Sequence, residues 1–73
     1  MSLSELTVPE MSCDACRAAI EGALEHLPGV DSVRVDLECK LVTIEHDPSR
    51  SPVSRLAAAV EDEGYEVTAS EGR

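Results

Sequence analysis

The apolar residues of this chain alternate, switch to helical spacing and return to alternation, and then do the same a second time. Leu3 to Val8 alternates apolar and polar residues until Pro9, which has no N–H to give a ladder. From about Asp14 the spacing becomes helical, with Ile20, Ala23, Leu24 and Leu27 on one face, and Pro28-Gly29 stops that helix. Val30 to Leu37 reads as a strand with Val33, Val35 and Leu37 on one face. Glu38, Cys39 and Lys40 form a hairpin into a strand from Leu41 to His46, whose Val42 and Ile44 point inward. After a turn at Asp47-Pro48-Ser49-Arg50, Ser51 is predicted to cap a second helix with Pro52 at its first position. Val53, Leu56, Ala57 and Val60 repeat at helical spacing, and Gly64 ends it. Tyr65, Val67 and Ala69 make a short last strand, and Ser70 to Arg73 a polar tail that frays.

Strand, helix, strand, strand, helix, strand with right-handed crossovers gives an α+β fold: the ferredoxin-like βαββαβ sandwich, a four-stranded antiparallel sheet with both helices on one face. At 73 residues the chain is expected to be a single domain over 1–73, with a core over about 3–69. Tyr65 is the only aromatic residue, so the core is aliphatic, and there is no room for a deep enclosed substrate cleft. The topology also sorts the loops. Cys13, Cys16, Cys39 and Tyr65 are predicted to share one end of the sheet, and His26 and His46 the other.

With 15 acidic against 6 basic residues the formal charge is -9, which repels nucleic acid and anionic membranes. The acid either complements a basic partner or serves solubility alone. No apolar run approaches the ~18–20 residues that span a bilayer, and no basic-then-apolar leader opens the chain. The expectation is a soluble, cytoplasmic protein without membrane insertion. Three cysteines in such a chain argue against a disulfide framework and leave metal or redox chemistry.

Met11-Ser12-Cys13-Asp14-Ala15-Cys16 is where that chemistry concentrates. It sets two thiols at the start of the first helix, beside unpaired N–H groups and the positive end of the helix dipole. Such surroundings lower a thiol pKa and supply thiolate near neutral pH, a place for holding a soft metal.

This motif, with Leu27-Pro28-Gly29-Val30, Val33-Arg34-Val35-Asp36-Leu37 and Glu63-Gly64-Tyr65-Glu66-Val67, resembles a heavy-metal-associated domain from roughly Leu3 to Ala69. That family includes cytosolic copper chaperones and the N-terminal metal-binding domains of heavy-metal-transporting P-type ATPases. The resemblance implies metal on Cys13 and Cys16, no enzymatic activity, and a P-type ATPase or its metal-binding domains as partner. Cu(I) accepts two thiolates in nearly linear coordination, and a partner's thiolate can join as a third ligand before one of the donor's leaves.

The neighbours of the pair admit more than one role. Met11 is either a thioether ligand or, as the family implies, a side chain packed beneath the loop. Asp14 is an oxygen ligand for Zn(II) or Cd(II), or a solvated carboxylate in the first turn. Arg17 offsets thiolate charge or is an ordinary exposed arginine. Tyr65, at a position where bacterial members often carry tyrosine and eukaryotic chaperones lysine, approaches the thiolates or caps the small core. Cys39 departs from the family, whose members more often carry a polar or basic residue there. It contributes to a metal-bridged dimer or second ion, or it is a free surface thiol on a chain that is monomeric without metal. His26 and His46 have no ligand partner in sequence and read as structural. Glu61-Asp62-Glu63 crowd acid at the second helix's C-terminus, unfavourable to its dipole.

The leading reading is a Cu(I) metallochaperone that passes its ion to a copper-transporting ATPase or sensor. A domain of such an ATPase, a Zn(II), Cd(II) or Hg(II) carrier, and a thiol–disulfide oxidoreductase are the alternatives. The chain opens on a methionine and stops just past the last strand, as expected of a free carrier, but an excised ATPase domain would look similar.

Overall fold

The computed structural model describes residues 2–72. Its elements are β1 (Ser2–Thr7), α1 (Asp14–Glu25), β2 (Val30–Asp36), β3 (Leu41–His46), α2 (Val53–Asp62) and β4 (Ala69–Gly72). The strands form one sheet in the order β2-β3-β1-β4, and every neighbouring pair is antiparallel. α1 packs against β2 and α2, and α2 packs against β4. The fold is the expected ferredoxin-like sandwich. No described helix is long and apolar enough to cross a membrane.

Alternation decides which side chains enter the core. Leu6 and Val8 point inward from β1 and its end, Val42 and Ile44 from β3, and they meet Ile20 and Leu24 of α1 and Leu56 and Val60 of α2, all with no exposed surface. Burial of each contributes about 1.5–3 kcal/mol. Met11 joins this cluster from the loop after β1.

Register places the two ends of the sheet. Thr7 pairs with Leu41 and the Val8 N–H donates to the Lys40 carbonyl (2.9 Å), so the β2–β3 hairpin lies beside the cysteine loop. Ser2 pairs with His46 at the other end. There His46 is buried, with Nδ1 2.7 Å from the Ser51 carbonyl and Nε2 2.7 Å from Ser4 Oγ. Because a carbonyl only accepts, Nδ1 is the donor in the bond to Ser51.

Three expectations need correction. The last strand is Ala69–Gly72 rather than Tyr65 to Ala69, so Ser70 to Gly72 pair with β1 instead of fraying; Arg73 lies outside the described residues. Pro9 explains the shift, because β1 has no ladder to offer beyond Val8. Ser51 does not cap α2: Pro52 holds the N-cap position without a side-chain bond, and the buried Ser51 hydroxyl donates to the Pro28 carbonyl.

Gly29 shows how tightly that far end is built. Its φ is +81°, and a Cβ there would lie 2.8 Å from Arg50 Cβ. Gly29→Ala is expected to lower stability by more than about 1 kcal/mol. Gly22, in the middle of α1 with open space around it, is expected to gain about 0.5–1 kcal/mol as alanine. Urea midpoints of the two variants should therefore move in opposite directions, and a parent-like midpoint for Gly29→Ala would contradict the turn.

Candidate metal centre

Pro9 ends β1, and the chain turns at once: the Met11 N–H donates back to the Val8 carbonyl (3.1 Å). Met11 thereby drops into the core, fully buried, beneath a loop whose next residues are exposed. Its placement is that of a packing side chain.

Cys13 occupies the N-cap of α1 with extended backbone (φ -145°, ψ 163°). Its sulphur accepts the Cys16 N–H at 3.3 Å, the role usually taken by a serine or aspartate oxygen. The Cys13 carbonyl accepts the first helical bond from Arg17 N–H (3.0 Å). One turn later Cys16, half-buried against the core, brings its Sγ to 2.8 Å from Cys13 Sγ. That is well beyond a disulfide of about 2.05 Å, and both thiols are free.

The pair is polarised by hydrogen bonds. The Cys13 side chain, then the Tyr65 hydroxyl and the backbone of Ser12 and Cys13, lower the Cys16 thiol from 9.0 to about 7, against some desolvation. The same contact pushes Tyr65 up to about 12, first through its bond to Cys16, then through desolvation and the negative charges of Cys16, Cys13 and Glu63. Tyr65 thus stays a phenol that donates to sulphur, while its ring packs against the core.

Arg17 is engaged elsewhere. Its guanidinium lies 3.4 Å from Asp14 and 4.0 Å from Glu21, along its own helix. Asp14 is exposed and faces Arg17 rather than the sulphurs. Such surface pairs are worth about 0.3–0.5 kcal/mol.

Cys39 sits exposed in the hairpin. The Asp36 carboxylate accepts the Glu38 and Cys39 N–H groups (3.0 and 3.1 Å) and, held there, is lowered below its usual range, the Cys39 N–H contributing most. In turn the Asp36 charge, then its hydrogen bond, raises the Cys39 thiol. Cys39 is therefore a protonated thiol at neutral pH, unlike Cys16. Among the described residues, no group of three or more His, Cys, Asp or Glu side chains is placed to hold a metal ion.

His26 and His46 lie at the far end as expected; His26 Nδ1 bonds the Gly22 carbonyl at the close of α1. One contact escapes a reading by motif. Glu10 accepts the Glu66 N–H at 2.9 Å, tying the cysteine loop to the segment that carries Tyr65. Only the register of β1 against β4 would have signalled it.

Residues 5–66 match the heavy-metal-associated domain. A copper chaperone CopZ from Staphylococcus aureus (strain MRSA252) is 43% identical over 67 residues, 92% of this chain and 98% of the relative. The solved structure of a CopZ metallochaperone superposes with TM-score 0.87 at 41% identity, covering 90% of this chain and 98% of the other. A copper binding domain from HMA7, a P-type ATPase, superposes with TM-score 0.88 at 29% identity, covering 97% of this chain and 99% of the other.

The thiol environments predict an order of reactivity. At pH 7 about half of Cys16 is thiolate, whereas the neighbouring Asp36 charge pushes the Cys39 thiol up and keeps it protonated. The weaker nucleophilicity of the more acidic thiolate offsets part of this, so Cys16 should be alkylated by iodoacetamide about five- to tenfold faster than Cys39. Peptide mass spectrometry of partial labelling reads the ratio, and equal rates would contradict the geometry. Because the folded chain lowers the Cys16 pKa, the stability it adds is fully present above pH 9.0 and lost as pH falls through about 7. Tyr65→Phe should move the midpoint of the Cys16 alkylation profile upward.

Proposed function

The chain belongs to the heavy-metal-associated domain family, and from that premise we propose that it is a soluble cytoplasmic Cu(I) carrier. In this reading one domain over 1–73 holds the ion on the Cys13 and Cys16 thiolates, performs no enzymatic reaction, and hands its cargo to a heavy-metal-transporting P-type ATPase. The observation that carries the reading is the exposed sulphur pair, 2.8 Å apart, with one member made acidic by hydrogen bonds. Likeness to named copper chaperones supports copper as the cargo.

The chemistry follows from a soft ion and an open pair. Cu(I) prefers thiolates and is content with two. A nearly linear ion sits between its two sulphurs, which must then lie well beyond their present 2.8 Å separation, so loading spreads the pair. Cys13 is the member free to swing, because its backbone is not yet helical. Two thiolates with one Cu(I) leave a net charge of -1. The Tyr65 O–H and the N-terminus of α1 offset it, Arg17 being held by Asp14 and Glu21. A partner's thiolate then adds as a third ligand, one of the donor's bonds breaks, and the ion crosses without being free.

Zn(II) and Cd(II) want further ligands, which the described residues do not assemble. Hg(II) shares the softness of Cu(I) and competes on chemistry alone. A domain of a P-type ATPase is the second reading, favoured by the likeness to the HMA7 domain.

An anaerobic Cu(I) titration of the reduced protein against a chromophoric Cu(I) chelator tests the proposal. One ion per chain is expected, with competitive uptake lost in Cys13→Ser and in Cys16→Ser and unchanged in Cys39→Ser. Tyr65→Phe should weaken binding about tenfold. A second ion would draw Cys39 into the chemistry, and the absence of competitive uptake would sink the copper assignment.

A further inference from the structure

Tyr65 reaches Cys16 from a segment with few backbone anchors. Between the end of α2 and the start of β4, the Tyr65 N–H reaches the Val60 carbonyl at a long 3.4 Å, and the Thr68 N–H reaches the Thr7 carbonyl at 3.0 Å. The second bond is one residue out of step with the Thr7↔Ala69 pair, so the ladder is already failing there. Had it continued in register, Glu66 would have faced Glu10. The chain instead folds back at this point, the Met11 N–H donating to the Val8 carbonyl, so the Glu10 main chain has left the ladder and the Glu66 N–H takes no carbonyl there. The Glu10 carboxylate supplies the acceptor, 2.9 Å from the Glu66 N–H. This N–H belongs to the peptide group that follows the Tyr65 Cα, so holding it restrains the ψ angle of Tyr65.

We propose that Glu10 is a positioning residue, whose carboxylate substitutes for the lost ladder acceptor and thereby keeps the Tyr65 hydroxyl on the Cys16 sulphur. The inference rests on the copper-carrier reading only where it speaks of affinity. A bond from N–H to carboxylate is about twice as strong as a neutral one, which suits an anchor in water. Net charge argues against a purely electrostatic purpose: Glu63 and Glu66 are close in sequence to the anchored peptide, and another carboxylate beside them is repelled. Glu10 therefore acts as an acceptor, and glutamine, whose side-chain carbonyl also accepts, can replace it.

Three readouts on the full chain test this in Glu10→Ala and Glu10→Gln. In the copper-free protein, hydrogen exchange followed by NMR should show the Glu66 amide losing protection about tenfold in Glu10→Ala and retaining most of it in Glu10→Gln. The near-UV circular dichroism of the single tyrosine should change in the alanine variant and return in the glutamine variant, a signature that a loss of global stability would not give. In chelator competition Glu10→Ala should weaken Cu(I) uptake about fivefold, and this loss should vanish in a Tyr65→Phe background. Unchanged Glu66 exchange in Glu10→Ala, a glutamine variant that behaves like alanine, or an equal loss of uptake with and without the tyrosine hydroxyl would each overturn the proposal. If the parent takes up no copper, the carrier reading fails, while amide exchange and the tyrosine signal still decide whether Glu10 positions Tyr65.

Discussion

Pro9 interrupts a strand that lies between two others, since β1 is flanked by β3 and β4. Its missing N–H removes the ladder donor that would face β4, since Val8 faces the β3 side and successive residues alternate. Val8 still donates to Lys40, but beyond it the loop has no sheet neighbour and must satisfy itself. Met11 turns back onto Val8 and fills the core below, and Cys13 closes the helix with its own sulphur. The exposed thiols follow from this: a chain released from the ladder, anchored by one buried methionine, can present side chains outward without unfolding the strand behind it.

The two ends of the sheet solve opposite problems. At the far end Ser4, His46 and Ser51 are buried, and their hydrogen bonds lock β1, β3 and the turn at Pro28 together. No described buried side-chain nitrogen or oxygen lacks a partner, which makes that end costly to rearrange. At the near end two sulphurs and a phenol bond to one another and to the backbone of the cysteine loop, close to solvent. Rigidity is concentrated where no chemistry is proposed.

Periodicity made most of the fold legible. Both helices and the first three strands announce themselves because one face of each must be apolar. The last strand did not, since Tyr65 and Val67 alternate as a strand would and are half-buried, yet pairing depends on what β1 can offer. The true β4, Ala69–Gly72, pairs through its backbone with little apolar signal. Ser51 misled for a related reason: a serine before proline looks like a cap, but its hydroxyl is claimed by a carbonyl 23 residues away. At the candidate site, spacing and the family resemblance singled out Cys13 and Cys16, which the fold brings side by side. What Arg17 bonds, and that Asp36 keeps Cys39 protonated, depend on side-chain directions that no motif encodes.

Cys13 joins the chemistry to the fold in one atom. Its sulphur caps α1 by accepting the Cys16 N–H, and a cap is worth about 0.5–2 kcal/mol. On the carrier reading, spreading the pair around an ion stretches that bond, so loading is opposed by the first turn of the helix, and release restores it. The opposition is small beside the affinity of thiolates for a soft ion, so it does not prevent uptake. It is comparable with the differences that decide exchange between two sites of similar chemistry, where a factor of ten is about 1.4 kcal/mol. On that reading, a sulphur shared between cap and ligand would tilt the balance toward handing the ion on.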